Sequence, residues 1–575
     1  METLQDSKID ALLPRLDELV RWRPGAKGEY QDLHSAIARL RGSANHIILG
    51  RRGSGKTRLI DELKRAVSKE NTVVITVGAE DFKELTYPDI LIQILRSFLR
   101  EFRIVLLTSP RVLTANWWEQ WLSAIQHPIG FVEQRSSRRR LAGEVKILLD
   151  QLDKLLAESE EVEAEYAEAR AMALRQNEIV QVAGKTGLVD GTAGATDERE
   201  SKSSSERKLR QRELKRITVE RLLGDFKALL DGVCKHLNSR VVLAVDDFYF
   251  VRRTDQPKVV DYVHRICKDT DAFLKIATIK HRSELFTHDA VSRGVVLGHE
   301  IQSINLELPL GQYESINKFL RSIWRAVCQE VGIHEPESIF MGGGFEQAVL
   351  ASGGVPRDFF GVTKAAILIA RERGERAVGK RRINEAARQY TEETKLPELK
   401  VDIGQDEDLV YLLLYDIVRF GRDDRKKNCF HIDIDRLRQQ PEMQNIVDAL
   451  VDSRLLHLIT DNTSNARRAG RFAAYLLDVG LYGHPERRAE AAVEEVQFWV
   501  RDDAGRLKNL DRSPVYPLRT FEELRQKSSL VTSHGAAIRD ALLPREETTE
   551  SSAGGRPTQL ELVFPPIQDT VLDST

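Results

Sequence analysis

The sequence predicts an α/β protein built on a five-stranded parallel sheet, with a long helical hairpin inserted in it and a helical unit and a smaller mixed unit after it. Three observations predict this. Apolar runs at 46–49, 72–77, 240–245, 273–278 and 304–308 read as strands, with helical stretches between them. The first run passes directly into a glycine-rich turn and then a helix. Between 102 and 215 the strand signal vanishes and charge rises, and from 313 to about 393 the pattern is helical.

At 575 residues and 41% hydrophobic composition, the chain is long enough for several cores. Lysine plus arginine (86) nearly balances aspartate plus glutamate (88), so polyanion binding must come from local patches. Cys234, Cys267, Cys328 and Cys429 are scattered without CxxC spacing, which excludes a disulfide framework or zinc site of the usual pattern. Residues 1–6 carry no basic or apolar leader, and the longest apolar stretches are short and interrupted by charge. A cytoplasmic, non-membrane protein is expected.

The elements follow in order. After the strand at 46–49 a helix runs from Lys56 toward Val67, and after 72–77 a second helix places Ile90, Leu91, Ile94, Leu95 and Leu99 on one face. In the insertion, Val145, Leu148, Leu152, Leu155, Val162, Tyr166, Ala169 and Ala173 step by threes and fours, broken only at Ser159. A Gly/Ser/Thr/Asp-rich stretch at 184–205 reads as a flexible tip. A second seam (Val219, Leu223, Phe226, Leu230, Val233, Leu237) is either the return arm or simply the helix preceding the next strand. Basic residues around 135–140 and 207–216 fit a solvated, charge-laced hairpin or a nucleic-acid stripe, and Trp117, Trp118 and Trp121 fit a local core or a partner anchor. The expected organisation is a core at 1–101 and 216–310, the insertion at 102–215, helices at 311–396, a mixed unit at 397–483, a charged segment at 484–527 and a disordered tail at 528–575.

The chemistry concentrates at Gly50-Arg-Arg-Gly53-Ser54-Gly55-Lys56-Thr57, a GxxxxGK[ST] match between strand and helix. The glycines let backbone N–H groups and a helix N-terminus face phosphate, Lys56 neutralises phosphate oxygens and the Thr57 hydroxyl ligates Mg²⁺. ATP and Mg²⁺ are the expected ligands. Gly184-Lys185-Thr186 echoes the motif's end, but Ile179 occupies its upstream glycine position. The run 241–245 ends in Asp246 and Asp247. Asp246 would hold Mg²⁺ through water, and Asp247 would orient and deprotonate the attacking water.

This arrangement resembles the additional-strand P-loop ATPases of the AAA+ and STAND group, within it the origin-recognition/initiator-like branch, over roughly residues 30–395 and the unit that follows. The resemblance implies that Thr278 holds the sensor 1 place, that Arg293 or Arg282 reaches a neighbouring subunit's nucleotide, and that Arg357, in Ser352-Gly353-Gly354-Val355-Pro356-Arg357-Asp358, is the sensor 2 contact of a helical lid. The order helix, strand, helix, helix, strand, strand from 407 to 477 is that of a winged helix. Arg467, Arg468 and Arg471 in its wing and Arg425, Lys426 and Lys427 upstream are the candidate duplex-DNA contacts, although Asp448 and Asp452 make the recognition helix a poor phosphate surface. DNA contact and protein–protein contact both remain open. The implied function is an ATP-hydrolysing switch that assembles as a homo-oligomer or with a separate effector, akin to regulatory ATPases of bacterial mobile elements and antiphage systems. The alternatives are a signalling scaffold without DNA binding, a metabolic phosphotransferase, for which no substrate pocket is evident, and a non-hydrolysing scaffold, which the intact Lys56, Thr57, Asp246 and Asp247 oppose. The long insertion departs from a minimal AAA+ module and bears on ring assembly.

Overall fold

A computed structural model of the chain describes residues 4–21, 30–32, 35–108 except 69 and 71, 138–157, 193–287, 293–403, 407–483, 493–499, 509–520 and a few positions from 522 to 542. Five strands, β1 (His46–Leu49), β2 (Thr72–Gly78), β3 (Arg240–Asp246), β4 (Ala272–Thr278) and β5 (Gln302–Asn305), form one sheet in the order β2-β3-β4-β1-β5. Every pairing is parallel. Because successive strand residues point to opposite faces, the apolar runs feed two layers. Ile47, Val73, Ile75, Val77, Val241, Leu243, Val245, Leu274 and Ile276 face one core; Ile48, Val74, Val242, Ala244, Ala277 and Ile304 face the other.

The second layer is covered by α2 (Ala36–Leu40) and α3 (Lys56–Ala66). The first is covered by α4 (Asp89–Thr108), the helical stretch 138–157, α5 (Ala193–Leu237) and α6 (Gln256–Cys267). The described arms of the insertion thus share the core of the sheet. Leu222 and Leu229 are buried beside Val219, Phe226, Leu230 and Val233, a stripe wider than a two-position seam. Lys215 reaches Asp89 at 2.5 Å and the Tyr262 hydroxyl donates to the Val219 carbonyl at 2.6 Å, fixing α5 on α4 and α6. The stretch expected to be a flexible tip is helical from Ala193 onward. It contains no proline, and helix formers such as Glu198, Arg199, Glu200 and Lys202 follow its last glycine. The positions Val162 to Ala173 and the three tryptophans near 117 lie outside the described residues.

The remaining helices are α7 (Tyr313–Glu330), α8 (Gly344–Ser352), α9 (Pro356–Glu372), α10 (Lys380–Tyr390) and α11 (Leu396–Ile403). They enclose a separate core with α1 (Ser7–Val20), whose Ile9, Leu12, Leu16 and Leu19 are buried there, away from the sheet with which the sequence grouped them. Lys364–Asp17 (2.5 Å), Arg371–Asp10 (2.8 Å) and Arg15–Glu330 (2.8 Å) pin α1 at its edges.

After them come α12 (Glu407–Val418), β6 (Cys429–Asp433), α13 (Ile434–Arg438), α14 (Pro441–Asp452), β7 (Leu456–Thr463), β8 (Phe472–Leu477) and α15 (Val479–Tyr482). The three strands form an antiparallel sheet in the order β6-β8-β7. Its buried residues are continuous with those of α7–α11, so this unit and the preceding helices share one core. Phe498, Leu510 and Tyr516 of the charged segment are buried in it, and the Tyr516 hydroxyl donates to Asp416 at 2.6 Å. Leu542, within the stretch expected to be disordered, is also buried, and its carbonyl accepts from Arg422 at 2.9 Å. Among the described residues no helix is long and apolar enough to cross a membrane, and all four cysteines are buried free thiols.

Candidate functional site

The loops at the C-terminal ends of β1, β2 and β3 converge on a cavity of about 540 Å³, closed on its far side by α1, α9 and α11. The turn after β1 folds as its glycines predict. Gly53 (φ 81°) and Gly55 (φ 95°) lie in the left-handed region, and a β-carbon on Gly53 would stand 2.6 Å from that of Arg357. Gly50 N donates to the Thr278 carbonyl at 3.1 Å, tying the turn to β4. Lys56 is 5% exposed and donates to the Gly50 (2.8 Å) and Arg51 (3.2 Å) carbonyls. Burial lowers its pKa, while Asp247 and Asp246 oppose that. Lys56, Thr57, Gly53 and Gly55 line the cavity, and Gly50 and Ser54 form the turn behind it.

Asp246 is buried at the end of β3. Burial and then the neighbouring Asp247 push its carboxyl up to about 6, against a hydrogen bond from Thr57 and the Lys56 charge. This pairing of a hydroxyl with a carboxylate beside a buried ammonium is a donor set suited to a divalent cation. Among the described residues no cluster of three His, Cys, Asp or Glu side chains could hold a metal alone. A cation here would need further oxygens from its partner ligand and water. Asp247 lines the cavity with φ 50°, a conformation that costs a non-glycine residue about 1–2 kcal/mol.

The other expected site residues divide. Arg357 lines the cavity, its backbone N donating to the Gly53 carbonyl at 3.4 Å and its guanidinium 3.6 Å from Glu398. Thr278 is fully buried outside the cavity lining, its hydroxyl bonded to that of Ser283, which in turn donates to the Ile279 carbonyl. Arg282 lies 3.6 Å from Asp452 and over the Tyr249 ring, engaged within its own chain. Arg293 sits in a short antiparallel pairing, opposite Thr287, near Tyr87 and Glu213 and outside the cavity lining.

The basic residues of the C-terminal unit also divide. Arg471 is 2.8 Å from Asp435, and Arg467 and Arg468 are exposed in the β7–β8 connection, at the far end of β6. Arg425, over the Phe420 ring, Lys426 and Lys427, 3.5 Å from Glu494, precede that strand. At about 3.3 Å per residue along β6, the two groups are roughly 15–20 Å apart and form two patches. The acidic helix α14 packs onto the 280–282 turn through His281–Asp448 (3.4 Å) and Arg282–Asp452.

Sequence reasoning missed several lining residues. Leu19, Val20, Pro356 and Phe360 make part of the lining apolar, while Arg52, Arg58 and Glu398 add charge to it. Tyr249, two residues beyond Asp247, collects the Arg52 and Lys56 cations at 5.4 and 5.8 Å. Its position after the two aspartates was a usable signal. Glu398 had none, because α11 reaches the cavity only through tertiary packing.

No family model matches this sequence, and no curated protein matches it. Among solved structures it is similar to the Aeropyrum pernix ORC2 protein in ADPNP–ADP complexes, at 11% identity over 80% of this chain and 93% of that one, with a TM-score of 0.34. It is similar to the Aeropyrum pernix ORC1 protein in complex with DNA, at 12% identity over 83% and 90%, TM-score 0.30. For the Walker-type ATPase PABY2304 of Pyrococcus abyssi the values are 12%, 80%, 98% and 0.40. Likeness this loose does not fix family membership.

Proposed function

We propose that this chain is an ATP-binding and ATP-hydrolysing switch of the AAA+ type, of the initiator-like branch, that assembles with DNA or protein partners. The observation that carries it is the single cavity in which Lys56, Thr57 and Asp247 of the sheet domain meet Arg357 of the helical domain. The apolar lining of Leu19, Val20, Pro356 and Phe360 suits a nucleobase, and the glycine turn and its cations suit a polyphosphate.

In this reading Lys56 and the turn's N–H groups bind the phosphates, and Thr57 and Asp246 hold Mg²⁺, which when bound neutralises charge developing on the phosphate oxygens. Asp247 accepts the proton of the attacking water, and Arg357 contacts the terminal phosphate from the lid. Arg282 or Arg293 would serve a neighbouring subunit, and Arg282 would first have to leave Asp452.

The unit from α12 to β8 has the element order of a winged helix, a module used on DNA and on proteins. With α14 packed inward, the DNA contacts left are the wing residues Arg467, Arg468 and Arg471 and the separate Arg425–Lys427 patch. The inward packing of α14 favours a second reading, a signalling scaffold that controls a separate effector without binding DNA. A regulatory role in a bacterial antiphage or mobile-element system rests on the sequence resemblance.

Mass photometry with ATP, with ADP and with ATP plus duplex DNA, run beside phosphate release, tests these readings. A larger species that requires ATP, with DNA-stimulated turnover, supports the DNA-assembling switch. An unchanged mass with DNA-independent turnover leaves the scaffold reading, and no turnover at all overturns hydrolysis.

A further inference from the structure

Arg454 lies two residues beyond α14 in the C-terminal unit, fully buried and in the left-handed region (φ 64°). Its guanidinium crosses into the cavity wall. Nη1 donates to the Arg52 carbonyl in the glycine turn at 3.2 Å, Nη2 donates to Glu398, and Nε lies 2.8 Å from Asp358 without hydrogen-bond alignment. The other oxygen of Glu398 faces Arg357 at 3.6 Å. One carboxylate on the cavity wall therefore stands between two guanidiniums, one from the lid and one from the C-terminal unit. A carboxylate that gives one oxygen to each of two guanidiniums cannot give either of them the two-bond, bidentate grip that it could give to one alone.

We propose that Arg357 and Arg454 compete for Glu398, so that the C-terminal unit sets the preference of the pocket for ATP over ADP. Glu398 and Arg454 act as positioning residues. A γ-phosphate must draw Arg357 off Glu398, whereas ADP leaves that pair in place. Arg454 makes the exchange easier by holding the Glu398 carboxylate, and by linkage the γ-phosphate tightens the grip of Arg454 on Glu398. The nucleotide state is thereby felt at α14, which ends two residues before Arg454 and packs onto the 280–282 turn. The inference rests on the nucleotide reading above and names the regulation of that site.

The test is the ratio of ADP to ATP dissociation constants, measured with fluorescent N-methylanthraniloyl nucleotides on the full-length chain. Glu398→Gln frees Arg357 and should raise the ratio about five- to tenfold, mostly by tightening ATP. Arg454→Lys, which cannot span three acceptors, leaves Glu398 to Arg357 alone and should move the ratio the other way. In an Arg357→Ala background both effects should vanish. A purely structural role would weaken both nucleotides together, so shifts in the same direction, or ATP and ADP affinities that scale together, overturn the competition. Glu398 is partly exposed and its glutamine isostere keeps the fold, so that arm stands even if Arg454→Lys is unstable. Absence of binding by the wild type, or binding indifferent to Lys56→Ala, overturns the nucleotide reading and this inference with it. Lys56-dependent binding with the wrong shifts overturns the inference alone.

Discussion

Gly353→Ala should be among the most damaging single-methyl changes in the chain. Gly353 has φ 55°, and a β-carbon there would lie 2.0 Å from His457 Nδ1 and 2.3 Å from its Cε1. His457 cannot simply step aside. It is buried, burial holds its pKa down to about 4 against the pull of Asp478, and its Nε2 donates to Asp478 at 2.9 Å. Asp478 in turn accepts from Lys395 and Thr391. The left-handed conformation costs alanine about 1–2 kcal/mol, and losing a hydrogen bond to a charged group costs about 1.5–3 kcal/mol. The sum is roughly 3–5 kcal/mol, equivalent to a fall in Tm of roughly 10 °C for a body of this size. The assay is urea unfolding of Gly353→Ala, His457→Ala and the double variant. In the His457→Ala background the cost should drop to the conformational part, a coupling of at least about 1.5 kcal/mol. A cost below about 1 kcal/mol for Gly353→Ala, or no relief in the double variant, would refute the argument. Gly354→Ala is the internal control, because its β-carbon would meet only Ile316 methyls at 3.2 Å.

Lys56→Ala should abolish nucleotide binding by equilibrium fluorescence, because among the described residues Lys56 is the lysine that donates to the glycine turn; retained binding would move the phosphate site elsewhere. Asp247→Asn should retain ATP while phosphate release falls about 10²- to 10⁴-fold, and normal turnover would remove Asp247 from the base role. Burial pushes Asp452 up to about 7 against the charges of His281 and Arg282, and His281 is raised because Asp448 outweighs its burial. For a carboxyl raised in the folded state, the folded chain holds the extra proton, so stability falls as pH climbs from about 4 to about 7. His281 adds stability below about 6.5 that is lost as pH rises through its raised value. Both slopes have the same sign, so Asp452→Asn should flatten the decline and stabilise the protein near pH 8, by at most about 4 kcal/mol; an unchanged pH profile in thermal melts would contradict the burial argument. Reversing the charges of Arg467, Arg468 and Arg471 should weaken duplex retention and reduce its salt slope by about 2–3, and unchanged retention would clear the wing of DNA contact.

Much of the sheet was legible because each strand is an apolar run whose neighbours alternate between two cores, a signal contained in a few residues. The glycine turn after β1 was legible for the same reason, since Gly53 and Gly55 are needed where the backbone turns left-handed. Arg357 could be found from the local Gly-Gly-Val-Pro-Arg pattern. What the sequence withheld was long-range. Nothing near Glu398 or Arg454 announces that they meet at the cavity wall, 56 positions apart. The inward packing of α14 depended on the 280–282 turn in another unit, and the pairing of the Thr278 hydroxyl with that of Ser283 likewise depended on the fold of the turn after β4. Composition alone governed the reading of the tail, and composition cannot show that Leu542 finds a buried place beside Arg422, 120 positions upstream.

The apolar core that joins the helices α7–α11 to the C-terminal unit is distinct from the two cores that sandwich the sheet, and the cavity lies on the boundary between them. That boundary is polar, stitched by the hydrogen bond from Arg51 to the Gly353 carbonyl (3.2 Å), by Arg282–Asp452 and by the Arg454 contacts. Mechanically the described residues form two halves, each with cores of its own, and the cavity sits at the joint between them. Oil-like contacts resist parting because water must enter, whereas ion pairs can exchange one partner for another, such as phosphate, provided that no charge is left buried alone. Relative motion of the halves would therefore run along this seam, with α1, α7–α11 and the C-terminal unit moving together as a single lever whose far end travels farthest for a small change at the cavity.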